Sequence, residues 1–164
     1  MDIDTVVIRR LRDKLLSREP RIEVGKRGRR ADIDLAMQRR IEPFVETMFL
    51  VMMADDDPAS VEHETLLAAV DVLTDGGLFD HQIEAMLDRF RANVTRDGSE
   101  ARLAQIGALI SADRDDRETA FTLAAVIALA DDRVDVRENR TLEWVKEYFG
   151  LSDRRVALLI DSID

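Results

Sequence analysis

At 164 residues, with 46% hydrophobic and 35% charged residues, the chain has the core fraction of one globular domain and fits neither a disordered nor a fibrous protein. Seven glycines and three prolines are too few turn-formers for a sandwich or barrel, and the absence of cysteine excludes a disulfide framework, a thiolate zinc site and a cysteine nucleophile. The formal net charge of −10 is unevenly placed: residues 1–40 carry 12 Lys and Arg against 7 Asp and Glu, while the remainder carries 12 against 27, so a basic arm precedes an acidic body.

The expected class is all-α, a single-domain bundle of seven to eight helices. Ile3, Val7, Leu11 and Leu15 recur every four residues and predict a first helix from Asp4 to Leu16. Pro20 and the glycines around Gly25 to Arg30 break it. Asp32 is placed to cap a short helix through IDLAMQRR, and Pro43 suits the first turn of a new helix with Phe44, Met48, Val51 and Met52 on its apolar face. After DDDPAS comes a helix carrying Val61, Leu66, Ala69, Val70 and Leu73, closed by Asp75-Gly76-Gly77. Asp80 is the expected cap of a helix with Ile83, Met86, Leu87 and Phe90 inward, and Ser99 opens the next, with Leu103, Ile106, Leu109 and Ile110 inward.

Asp115 with Glu118 forms a capping-box pattern ahead of AFTLAAVIALA, which is apolar almost all round and reads as the central buried helix. Asp135 with Glu138 repeats the box before a helix bearing Leu142, Val145 and Phe149, stopped by Gly150. Ser152 then caps a last helix with Val156, Leu159, Ile160 and Ile163. The methionines at 48, 52, 53 and 86, with Phe121, Trp144 and Phe149, fall at helical spacing and read as packing. The domain organisation read from this pattern is a basic N-terminal helix and arm over 1–40 and a helical domain over 41–164.

Residues Ala54-Asp55-Asp56 through Glu62, Thr65 and Leu66 match Ala130-Asp131-Asp132 through Glu138, Thr141 and Leu142 at an offset of 76, which marks a duplicated helix-loop-helix. Each copy gathers carboxylates between two helices. At a helix start they are favoured by the macrodipole; Asp55, Asp56, Asp131 and Asp132 follow a helix end, where they are not, and call for an Arg, solvent or a cation. No other chemistry competes. His63 and His81 lack metal-ligand spacing and read as surface residues, no phosphate loop or nucleophile motif occurs, and the acidic links fail the EF-hand test because the twelfth position is Leu66 or Leu142 instead of Glu.

The segments FLVMMADDDPASVEHETLLAAVDVL and LAAVIALADDRVDVRENRTLEWVKEYFGLSDRRV resemble the two halves of the tellurite-resistance TerB family, whose relatives include the N-terminal domain of a membrane-anchored J-domain co-chaperone. The family's motif glycine is replaced by Asp56 and Asp132. The resemblance implies an all-helical bundle with a cation-binding acidic surface, a role in stress response or protein association, and no enzymatic reaction. Carried over by position, its metal residues are Asp55 and Glu62 in the first copy and Asp131, Asp135 and Glu138 in the second, with Ca²⁺, Mg²⁺ or Zn²⁺ as the cation. The alternative is a co-chaperone-like interaction scaffold without metal, in which these acids only cap helices. Either way the expected partners are other proteins, with the chain a monomer or homodimer. Nucleic acid is not expected, since the acidic body repels phosphates and GKRGRR has no aromatic side chain to stack bases. The longest apolar runs fall far short of the roughly 20 residues of a membrane span. With the absence of cysteine, this reads as a cytoplasmic protein.

Overall fold

The computed structural model describes residues 6, 7, 9, 10, 29–54, 60–129 and 136–163, with backbone alone at 29–35, 37, 60–62 and 136–139. Seven helices follow in chain order: α1 (Arg29–Met52), α2 (Ser60–Thr74), α3 (Asp80–Asp97), α4 (Ser99–Ile110), α5 (Arg114–Leu129), α6 (Val136–Tyr148) and α7 (Asp153–Asp161). Residues 6, 7, 9 and 10 are also helical, within the expected first helix, whose other apolar positions Ile3, Leu11 and Leu15 lie outside the described residues. No strand occurs among the described residues, so the all-helical bundle stands.

The core forms where α1 packs against α5. Phe44, Val45, Met48, Phe49, Val51 and Met52 of α1 are buried, as are Ala120, Phe121 and the run Leu123 to Ala128 of α5. These two stretches are equivalent in the 76-residue repeat, so the duplicated halves bury their corresponding helices against each other. Arg40 and Asp116 are themselves 76 apart and pair directly, Nη1 to Oδ2 at 2.7 Å and Nη2 to Oδ1 at 2.8 Å.

Four local expectations are corrected. α1 is one helix that begins at Arg29, ahead of Asp32, and runs through Pro43, where a new helix was expected to start. Proline inside a helix costs roughly 3 kcal/mol. The continuous buried stripe of Ile41, Phe44, Val45 and Met48, with Arg40 packed 5.5 Å from the Phe44 ring, offsets it. Asp80 is the first residue of α3, and the cap position is Phe79, whose N–H donates to Gln82 Oε1 at 2.8 Å. Leu109 is 72% exposed because six positions after Leu103 carries it roughly 120° around α4.

The fourth correction concerns Asp115 and Glu118. Asp113 caps α5 instead, its Oδ1 accepting from the N–H groups of Asp115 at 2.8 Å and Asp116 at 3.3 Å. Glu118 is buried and held from two sides: Arg155 donates Nε and Nη2 to its two oxygens at 2.7 and 2.8 Å, and Arg114 donates Nε at 2.8 Å. A third buried carboxylate, Glu46, takes Arg102 Nε at 2.8 Å and Nη2 at 2.9 Å, joining α1 to α4. Bidentate guanidinium pairing is what permits carboxylates at these depths.

Two close approaches set the rest. Gly107 lets α4 touch α6 so tightly that a methyl group in its place would stand 2.5 Å from the Tyr148 carbonyl oxygen. Gly150, at φ +65°, closes α6 in the left-handed region that side chains resist, and Ser152 caps α7 through Arg155 N–H at 3.2 Å. Asp75 at φ 53° and Gly76 at φ 67° close α2 similarly, as the Asp-Gly-Gly signal implies.

Three outcomes follow from this packing. Ile127→Asp, at a position 3% exposed, places an unpaired carboxylate in a helix buried at every position from Glu118 to Ala128 and abolishes the cooperative thermal transition seen by circular dichroism. Gly107→Ala forces α4 off α6 and lowers stability by about 1–3 kcal/mol in urea titration. Arg155 holds the Glu118 carboxyl below the usual glutamate value of 4.5, against the opposing effect of burial and with further help from Arg114. A depressed native value contributes stability that is present above 4.5 and lost as pH falls through the native value, so Glu118→Gln flattens the acid side of the stability profile below pH 4.5.

Candidate functional site

The two acidic junctions are the candidate site. Asp55, Asp131 and Asp135 lie outside the described residues, as do Asp56, Asp57, Ala59 and Asp132. Glu62 and Glu138 are each the third residue of a helix, in α2 and α6, so the repeat places both in a first turn, where the macrodipole favours a negative charge. Their side chains are outside the described set. Among the described residues, no three His, Asp or Glu side chains group to hold a metal ion.

What the structure adds is the relation between the junctions. A groove of about 760 Å³ runs along the bundle surface. One wall is Met53 and Ala54, the last described residues before the first acidic link, and another is Arg140 and Thr141, two and three residues after Glu138. The exit from α1 and the first turns of α6 therefore share one groove. α4 contributes its opening residues 98–101, and α6 contributes Trp144 and Tyr148, both half-buried.

Two polar side chains of the groove, Tyr148 and Asp97, are held by partners. Tyr148 Oη donates to Glu100 Oε1 at 2.6 Å, which raises the phenol's pKa and ties α6 to the start of α4. Asp97 binds Arg96 through two contacts of 2.9 and 2.8 Å and lies 3.7 Å from Arg102 Nη1; the Arg96 hydrogen bonds foremost keep its carboxyl below the ordinary aspartate value. On the opposite surface of α6, Lys146 Nζ donates to Asp153 at 2.8 Å and pairs with Glu143, and both carboxylates raise its pKa. Histidine is not among the described residues of the groove. His81 is exposed and stacks on Phe79 with ring centroids 5.8 Å apart, whereas His63 is 34% exposed and stands 3.8 Å from Glu84.

The buried carboxylates Glu46, Asp116 and Glu118 escaped the sequence reading as structural acids. A signal existed for Glu46, a single charge inside the apolar run PFVETMFLVMM, but its partner Arg102 is 56 residues away and invisible to local pattern.

Trp144 is the single tryptophan of the chain and lines the groove, so its fluorescence reports this site alone. Tyr148→Phe removes the bond to Glu100 and shifts Trp144 emission, while the melting temperature falls by no more than about 2–3 °C, because the bond lies at the surface, where water competes for both partners.

The tellurite resistance protein TerB family model matches residues 42–159, which takes in both junctions and all seven helices except the start of α1 and the end of α7. No curated protein and no solved structure is similar enough to the chain to match it. With a match over well more than half its length, two copies of the acidic helix junction and an all-helical bundle built on their packing, the chain belongs to the TerB family.

Proposed function

We propose that this chain is a non-enzymatic, tellurite-resistance-like stress-response module of the cytoplasm that binds a divalent cation weakly through its two acidic junctions and couples that state to partner proteins. The observation that carries the reading is the shared groove. Met53 and Ala54 lead directly into Asp55, Asp56 and Asp57 in sequence, and Arg140 and Thr141 stand just beyond Glu138, so described neighbours of both links line one groove, which supports the reading. Carboxylate oxygens from two links are the hard donor set that Ca²⁺ and Mg²⁺ favour. The helix dipoles account for Glu62 and Glu138 but not for the aspartates that follow α1 and α5, and a cation would balance those. Family membership supports the stress-response setting.

A second reading has its own observation. Trp144 and Tyr148 give the groove an aromatic wall with polar tips, the surface type that recurs at protein contacts, and this favours a co-chaperone-like scaffold in which the acids only cap helices.

Calorimetric titration of Ca²⁺, Mg²⁺ and Zn²⁺ into metal-free protein separates the two. The cation reading expects heat of binding and a rise in melting temperature for the parent, both lost in Asp131→Asn and in Glu138→Gln. The scaffold reading expects no heat up to roughly millimolar ion, the weak end of known calcium sites, and unchanged stability in both variants.

A further inference from the structure

The repeat gives α7 an internal control. At an offset of 73, Val156, Leu159, Ile160 and Ile163 in and just after α7 correspond to Ile83, Met86, Leu87 and Phe90 of α3, and the two helices hold equivalent places, α3 on α1 and α7 on α5. Each also carries an arginine paired with the same carboxylate position of the central helix beneath it, since Glu42 of α1 and Glu118 of α5 are 76 apart. The two attachments are built in opposite ways. All four α3 residues are at most 4% exposed, while its Arg89–Glu42 bond is a single exposed contact of 2.9 Å. In α7 no residue is buried and the apolar stripe is half-covered, while Glu118 is 3% exposed and held by Nε and Nη2 of Arg155 together.

This difference decides what opening costs. Moving α3 off α1 exposes apolar surface with nothing to offset it. Moving α7 off α5 returns both members of a desolvated pair to water together, and their rehydration offsets most of the attraction lost. Glu118 also keeps a partner, because Arg114 stands on α5 itself and donates to it at 2.8 Å. A cavity of about 170 Å³ beside the pair, lined by Thr119, Thr122 and Leu159, is roomy and polar enough to admit water as the charges part. The remaining ties lie at the surface, Lys146 Nζ to Asp153 at 2.8 Å and Arg10 Nη2 to the Ser162 carbonyl oxygen at 3.3 Å. Arg117 Nη1 donates to the Phe149 carbonyl oxygen at 3.1 Å and pins the end of α6, so the pivot falls at Gly150, whose φ is +65°.

We propose that α7 is a hinged helix, latched to α5 by the Glu118–Arg155 pair, that opens as a unit while the other helices stay folded. Opening presents Arg155 and the stripe from Val156 to Ile163 to solvent, and it uncovers Glu118, Thr119 and Thr122 on α5. α3 is its permanently docked counterpart. The device depends neither on the acidic junctions nor on any cation.

Native-state hydrogen exchange of the full chain tests this. The amides of Val156 to Asp161 should share one protection factor, at least roughly tenfold below those of Ile83 to Phe90, and it should hardly change in low urea, as for an opening that exposes little surface. Protection equal to that of α3, or a gradient that fades from Val156 towards Asp161 as in simple fraying, overturns the proposal. Glu118→Leu/Arg155→Leu gives α7 the apolar kind of attachment that α3 has, and should raise the protection of α7 at least about tenfold with α3 unchanged. Unchanged or lower protection in that variant overturns the latch. If the double variant does not fold, Arg155→Lys decides, because it keeps the charge and removes the bidentate fork. Protection lowered roughly tenfold at 156–161 alone supports the latch, whereas a loss spread over every helix, or no loss, overturns it.

Discussion

The packing of α1 against α5 is the constraint from which the rest of the bundle follows. These are the same helix in two copies, and each is too apolar to be left facing water. Burying them on one another gives the molecule its core and fixes the relation of the two halves. Arg40 and Asp116, which stand at equivalent positions of the repeat, close the contact with a bidentate ion pair.

Buried charge then sets the positions of the outer helices. Glu46 on α1 holds α4 through Arg102, and Glu118 on α5 holds α7 through Arg155. Each carboxylate sits where an unpaired charge could not remain, so each guanidinium has a defined place and the helix carrying it a defined angle. Hydrophobic burial alone is non-directional; these bidentate pairs supply the direction. They also mark the asymmetry between the copies, since α3 is secured by apolar burial and α7 chiefly by its arginine.

The groove between the junctions is a product of the same arrangement. Because the copies share one interface, Met53 and Ala54 at the end of α1 come to lie in one groove with Arg140 and Thr141 of α6. The Tyr148 to Glu100 bond joins α6 to the start of α4 across the groove's far side. A cation and an aromatic-seeking partner would thus address the same surface, which is why the two functional readings differ in chemistry and not in location.

The sequence by itself determined the helical class, the duplication, six of the seven helices and the apolar face of nearly every one, because period and turn chemistry are local. It also carried the family, through a motif short enough to read and present twice. Where it failed, a distant contact had outweighed a local rule: burial on α5 carried α1 through Pro43, Arg155 took Glu118 from the capping box, and the shape of the shared core left Leu109 in water. The groove that Met53 and Ala54 share with Arg140 and Thr141, and the absence of any buried residue in α7, were decided only by the tertiary structure, since both depend on which surfaces remain after the two copies have buried their central helices.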